Sequence, residues 1–170
     1  MSSQRLHTSS PEAVKLDPIL FRRACGAFAT GITVATVLGR DGKPHGLTAN
    51  SFSSVSLDPP LVLICVAHKA ATHGPFASAS SFVINILGSD QKDLSIRFAS
   101  SHPNRFEGLD WTIGELGAPV LTDSLAVIQC ETKRKIAAGD HTIFLGEVRK
   151  ADLREGKPLL YYAGNYVETK

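Results

Sequence analysis

The chain has 170 residues, so a single domain is the default. It is 43% hydrophobic and 20% charged, which excludes global disorder and leaves ample apolar material for a core. The 18 Lys and Arg nearly cancel the 16 Asp and Glu, so no dense basic face, and no nucleic-acid partner, is expected.

Residues 1–16 are polar and rich in Ser, without the apolar stretch of a secretory signal; a mobile tail is expected there, ahead of one domain over 17–170. Asp17 can cap a helix, and Pro18 suits its first turn because proline has no N–H to leave unpaired. Leu20, Ala24, Ala27 and Phe28 fall on one face at helical spacing, with Gly31 as the stop. Ile32–Leu38 then reads as a strand, Gly39–Gly42 as a turn and Pro44–Ala49 as a second strand. Ser51–Leu57 is expected as a third, sending Phe52, Val55 and Leu57 to the core. Asp58-Pro59-Pro60 breaks the chain. Leu61–Ala67 (LVLICVA) is continuously apolar, which predicts a strand buried on both faces or lying at a subunit interface.

Short helices are expected near Thr72–Ala79 and Gln91–Ala99, on either side of a strand at Phe82–Leu87. A loop from His102 to about Gly117 carries the one Trp. The longest strands, Leu125–Ala137 and His141–Leu153, are separated by Ala138-Gly139-Asp140, and a last strand lies near Leu159–Tyr162. Six or seven strands with short helices at the edges describe a mainly β fold, an antiparallel barrel with Greek-key connections. No window of 18 or more uncharged apolar residues exists, so neither a membrane span nor a membrane partner is expected.

Cys25, Cys65 and Cys130 are odd in number and widely spaced, which encodes neither a disulfide framework nor a zinc site and suits a reduced, cytoplasmic setting. The common nucleotide-binding loops, H-E-x-x-H and G-x-S-x-G are all missing. His68 and His73 are five apart, a poor spacing for one helical face, and no metal site is expected. The densest polar stretch is Gly46–Pro60, where Thr48, Asn50, Ser51, Ser53, Ser54 and Ser56 crowd six hydroxyl or amide side chains into nine residues. Small polar side chains let backbone N–H groups approach a ligand closely and add donors of their own. The same stretch also reads as a plain Ser/Thr-rich edge strand. Cys65–His73 leaves a strand for a helix, and Thr72 is placed either to meet a phosphate or simply to cap. Arg97 and Phe98 read as a phosphate partner and a ring contact, or as a surface charge and a core residue. Gly139-Asp140-His141 reads as a hairpin turn, and Lys133–Lys135 as a solvated strand face or a steering patch for an anion.

Taken together, FRRACGAFATGITVAT (Phe21–Thr36), TANSFSSVSLDPPLVLIC (Thr48–Cys65), FVINILGSDQKDLSIRFAS (Phe82–Ser100) and GDHTIFLGEV (Gly139–Val148) occur in the order found in a known family. The chain resembles the short-chain flavin reductases, the reductase components of two-component flavin-dependent monooxygenases, from about Asp17 to Tyr166. That resemblance implies a homodimer of six-stranded antiparallel split barrels with short peripheral helices. It implies FMN or FAD held by Thr48, Ala49, Asn50, Ser51, Ser53 and Ser54. Cys65, Val66, Ala67 and Thr72 would lie by the flavin's chain and phosphate, with Arg97 and Phe98 completing the site. His141 matches the histidine bordering the nicotinamide pocket, and Tyr166 a C-terminal aromatic near it.

The implied reaction is hydride transfer from C4 of NADH or NADPH to N5 of the flavin, with reduced flavin diffusing to a separate monooxygenase. Backbone N–H groups of Thr48–Ser51 would stabilise charge on the ring, and His141 would hydrogen-bond the carboxamide or ribose of the nicotinamide nucleotide. Two other readings use the same barrel: a flavin carrier or sensor without reductase activity, and a pyridoxamine phosphate oxidase, which needs a basic cluster not evident here.

Overall fold

The computed structural model describes residues 16–168. The tail expected over 1–16 lies outside the described residues, except for Leu16, which is exposed. In chain order the elements are α1 (Pro18–Gly26), β1 (Thr30–Gly31), β2 (Thr33–Leu38), β3 (Pro44–Ala49), β4 (Ser53–Leu57), β5 (Pro60–Ala67), α2 (His73–Ser78) and β6 (Ser81–Ile86). There follow α3 (Lys92–Ala99), β7 (Trp111–Ile113), β8 (Pro119–Leu121), β9 (Ala126–Ala138), β10 (His141–Leu153), β11 (Leu160–Tyr162) and β12 (Asn165–Val167). No helix among the described residues is long and apolar enough to cross a membrane.

Seven strands form one sheet in the order β3-β2-β6-β9-β10-β5-β4, all pairs antiparallel, within the six or seven read from the residues and one more than the six the resemblance implied. β1, β11 and β12 form a small second sheet, and β7 pairs with β8. The large sheet has to curl. β3 and β4 sit at its two opposite edges, yet only Asn50, Ser51 and Phe52 separate them. An extended chain covers at most about 3.6 Å per residue, so the two edges meet at this corner without pairing. The result is a barrel split between β3 and β4.

Two apolar clusters back the sheet. Val37, Ile64, Val66, Phe82, Ile84 and Phe144 fill the barrel, and Ile32, Val34, Leu87, Phe98 and Phe106 pack on the other side under α3. β2 lies between them, and its residues Thr33–Val37 are all buried. β2 is therefore covered on both faces, as is β6 over Phe82–Asn85. The continuous apolar run of β5 instead alternates, with Val62, Ile64 and Val66 buried and Leu61, Leu63, Cys65 and Ala67 half-buried on the opposite face. Asn85 of β6, fully buried, joins three strands: its amide donates to Val34 O at 2.9 Å and Thr36 Oγ1 at 3.2 Å, and its carbonyl accepts from Leu121 N at 2.9 Å.

Two expectations are corrected. Val55 and Leu57 do not reach the core. The register passes from Ser54 opposite Val62 to Ser56 opposite Leu61, so a β-bulge leaves Val55 unpaired and breaks the in–out alternation of an edge strand. α1 ends at Gly26 rather than Gly31, and it buries none of its residues in this chain. Asp17 does cap it, its carboxylate accepting from Ile19 N at 2.9 Å.

Replacing Asn85 by Leu leaves the Leu121 N–H buried without an acceptor, and such an orphaned group costs about 1–3 kcal/mol. Asn85→Leu should lower the free energy of unfolding by about 3 kcal/mol in a denaturant titration. A loss below about 1 kcal/mol would show that the amide does not hold the three strands together.

Candidate functional site

The split is where the Thr/Ser-rich segment lies. Ser51 stands at the corner between the edges and extends the register of β4 against β5. Its hydroxyl accepts from Cys65 N at 3.0 Å and donates to Cys65 O at 3.2 Å, so a side chain does the work of a backbone ladder. Burial in this wall raises the Cys65 thiol above its ordinary range. Thr48, one strand edge away, donates from Oγ1 to Ser95 O of α3 at 2.6 Å. The Ser95 hydroxyl in turn meets Tyr166 OH at 2.9 Å, which brings two predicted site residues, Thr48 and Tyr166, onto one network. Ala49 is buried, whereas Asn50, Ser53 and Ser54 are open to solvent along the rim or the β4 edge.

The second wall comes from the β9–β10 hairpin. Gly139 takes a positive φ of 60° in its turn, a conformation that costs glycine little. Pairing of β10 with β5 then sets His141 opposite Ala67, so the hairpin tip borders the Cys65–Ala67 segment. His141 Nδ1 lies 2.7 Å from Asp140 Oδ1. That hydrogen bond holds the Asp140 carboxyl below the usual carboxylate range, so the aspartate stays ionised through the neutral range. An ionised partner accepts from Nδ1–H and leaves Nε2 of a neutral imidazole as an acceptor. No hydrogen bond joins His141 to Tyr166 among the described residues.

His68 and His73 are tied to the β9–β10 hairpin. Both Nε2 atoms converge on the Thr142 hydroxyl, at 3.2 and 2.9 Å, and the rings meet edge-on with centroids 5.0 Å apart. His68 N also donates to Asp140 O at 2.9 Å. The loop leading into α2 is thereby fastened to the hairpin that carries His141. Among the described residues no three His, Cys, Asp or Glu side chains gather as a metal site.

Thr72, at the end of that loop, is 5% exposed, and its hydroxyl is buried without a hydrogen-bond partner. Such a group has room for a partner from an ordered water or a ligand. Arg97 and Phe98 are placed differently from a simple ligand pair. Arg97 donates to Asn104 O at 3.1 Å and to Glu107 O, which straps the loop after α3. The Phe98 ring is sealed in the core, edge-on to Phe106, and the absence of a Cβ at Gly46 lets it approach: a Cβ there would lie 2.7 Å from the ring. Val66 likewise points into the barrel, so it can offer a ligand only its backbone. Lys133 is drawn into ion pairs with Glu131 and Glu147, and Lys135 caps the carbonyls of Ala77 and Ala79, so neither is spare for steering an anion.

Sequence reasoning missed Ser95, Thr142 and Arg105. Arg105 donates to Gly46 O at 2.8 Å and to Ser100 O, and with Arg97 it shapes the wall next to β3. Each of the three makes at least one contact across dozens of residues, and no local pattern announces it. Arg97→Ala should free the loop: amide exchange over residues 101–107 is expected to rise more than tenfold while β9 and β10 keep their protection. Unchanged exchange in the loop would show that Arg97 does not restrain it.

The model of the flavin reductase like domain matches residues 25–170. A Rhizobium meliloti (strain 1021) protein named "Probable flavin reductase" is 45% identical over 150 residues, covering 88% of this chain and 48% of that one. The chain thus spans about half the length of that relative. The reductase subunit HsaB of a Rhodococcus jostii flavin-dependent monooxygenase is 39% identical over 155 residues, 91% of this chain and 79% of that one. In structure, the Streptomyces globisporus NADH:FAD oxidoreductase SgcE6, solved with NAD and FAD fragments, superposes with a TM-score of 0.85 at 40% identity, covering 91% of this chain and 93% of that one. A split barrel with a polar corner, matched along nearly its whole length, is a member of the flavin reductase like domain family.

Proposed function

We propose that the chain is an NAD(P)H:flavin oxidoreductase that supplies reduced FMN or FAD to a separate monooxygenase component. The observation that carries the reading is the meeting of three segments at one corner. Thr48–Ser51 and Cys65–Ala67 form the rim, and the β5–β10 register sets His141 beside it. The unpartnered Thr72 hydroxyl fits a ligand phosphate. The SgcE6 and HsaB likenesses support the same reaction and the same kind of partner.

Bound flavin supplies the hydride acceptor and NAD(P)H the donor; the protein's task is orientation. β3 is paired with β2 along one edge only, so the Thr48 N–H, facing away from β2, and the backbone of the Asn50–Ser51 corner are available to the ring and its developing charge. Ser51 contributes shape, because its hydroxyl is already spent on Cys65. His141 Nε2 accepts from the carboxamide or a ribose hydroxyl of the nicotinamide nucleotide, with Asp140 fixing the tautomer. Thr72 and Lys69 meet the flavin phosphate. No nucleophile or paired carboxylate is needed, which matches a site built of hydroxyls, amides and backbone.

The functional unit we propose is a cytoplasmic homodimer. Ile19, Leu20, Phe21 and Phe28 are all more than half exposed, and one face of β5 is only half covered. A second copy of the chain would bury such surface, and apolar burial contributes about 25 cal/mol per Å². Sedimentation equilibrium should give about twice the 18.2 kDa chain mass, and a single-chain mass would reject the dimer.

NADH or NADPH oxidation assayed anaerobically with FMN, FAD or riboflavin tests the activity directly; no oxidation with any flavin would overturn it. His141→Ala should raise the KM for NADH about tenfold, the worth of one hydrogen bond, and leave the flavin KM within about twofold. Equal NADH kinetics in that variant would remove His141 from the site.

A further inference from the structure

One hydroxyl at the start of β10 holds two imidazoles. Thr142 Oγ1 lies 3.2 Å from His68 Nε2 and 2.9 Å from His73 Nε2. A hydroxyl has one proton to give and lone pairs to receive with. Two neutral rings satisfy it when one Nε2 is bare and accepts that proton while the other carries hydrogen and donates. Such a pair holds unlike tautomers. The two rings meet edge-on at 76°, and His73 is also edge-on to the buried Phe144, with centroids 6.3 Å apart. His73 is thereby seated against the core while His68 stays exposed.

The segments joined in this way carry the two ends of the proposed site. Thr142 directly follows His141, and His73 directly follows Thr72. Each proposed ligand contact is thus one Cα–Cα step, about 3.8 Å, from the tie. The β5–β10 ladder ends at Ala67 opposite His141, so strand pairing does not reach the loop beyond. Among the described residues, three hydrogen bonds join residues 68–73 to the hairpin: the two to Thr142, and His68 N donating to Asp140 O at 2.9 Å. Asp140 in turn holds His141 Nδ1 at 2.7 Å. We propose that His68, His73 and Thr142 are positioning residues, a clamp that fixes Thr72 relative to His141 and so aligns the flavin with the nicotinamide. The clamp rests on the flavin reductase reading for the roles of Thr72 and His141. None of its three members has to touch a ligand. Hydride transfer tolerates little error in the placement of two rings, and a tie between the two ends of the site limits that error.

Thr142→Val keeps a β-branched side chain of similar shape and removes the hydroxyl; Thr142→Ser keeps the hydroxyl. In the ligand-free full-length chain at about pH 8, where imidazole is ordinarily neutral, nitrogen NMR should show unlike tautomers for His68 and His73. Exchange of the His68 amide should rise at least about fivefold in Thr142→Val, the worth of one hydrogen bond. Calorimetric titration with FMN and with FAD should show the tighter of the two binding about fivefold more weakly to Thr142→Val, and the KM for NADH should rise about as much. Thr142→Ser should stay within about twofold of the parent chain in both. In a His141→Ala background, Thr142→Val should add less than about twofold to the KM for NADH, because the residue it positions is gone, and should still weaken the flavin. Like tautomers in the parent chain, unchanged flavin affinity in Thr142→Val, or an undiminished effect on the KM for NADH in the His141→Ala background would overturn the clamp. A chain that oxidises NADH with the same constants in Thr142→Val keeps the reductase reading and loses the clamp. A chain whose flavin binding weakens in Thr142→Val and recovers in Thr142→Ser, yet which oxidises no reduced nicotinamide, keeps the clamp at its flavin end and loses the reductase reading.

Discussion

Three residues, Asn50 to Phe52, join strands that lie at opposite edges of a seven-stranded sheet. That short link is the constraint on which the molecule depends. It forces the sheet to close on itself while preventing the last pair from forming, because both edge strands turn at the same corner. Unpaired backbone is normally a hazard that proteins cover or blunt. Here one part of the deficit is met by Ser51, whose hydroxyl reproduces both halves of a ladder bond to Cys65. The rest stays available at a corner lined with small polar side chains, which is the property a planar ligand rich in acceptors requires.

Around this corner the other parts are fastened in pairs. Thr48 and Tyr166 are held through Ser95, and the loop before α2 is pinned to the β9–β10 hairpin through Thr142. The walls thus belong to elements far apart in sequence but tied by a few hydrogen bonds at their tips. Hydride transfer makes its main demand on the relative placement of two rings, with reacting atoms roughly 3–3.5 Å apart. In the reading proposed above, a barrel with cross-tied loops would meet that demand. The arginines follow the same logic. Arg97 and Arg105 spend donors on backbone carbonyls of β3 and of the loop after α3, and so shape the wall.

Much of this was legible in the chain. The β3 bounds, the β9–β10 hairpin with its Gly139 turn, the Asp17 cap and the density of hydroxyls after Gly46 are local signals: turn chemistry, capping chemistry and strand propensity act over a few residues. The family resemblance rested on the same stretches. Periodicity also carried Phe98 to the core as one of its two readings, and the ring is found there, under Gly46.

What the amino-acid order determined by itself was the longer strands and the three helices, without the short β1, β7, β8 and β12, and which short segment holds the polar groups. It left open which apolar run is covered twice. Both Ile32–Leu38 and Leu61–Ala67 are apolar, and only the tertiary arrangement, two clusters flanking β2, decides between them. The bulge at Val55, the reassignment of Arg97 and the partnership of His68 and His73 were decided there too. The reason is common to all of them. A side chain's neighbours across a sheet or loop depend on register and curl, and those are properties of the closed barrel rather than of any window of sequence.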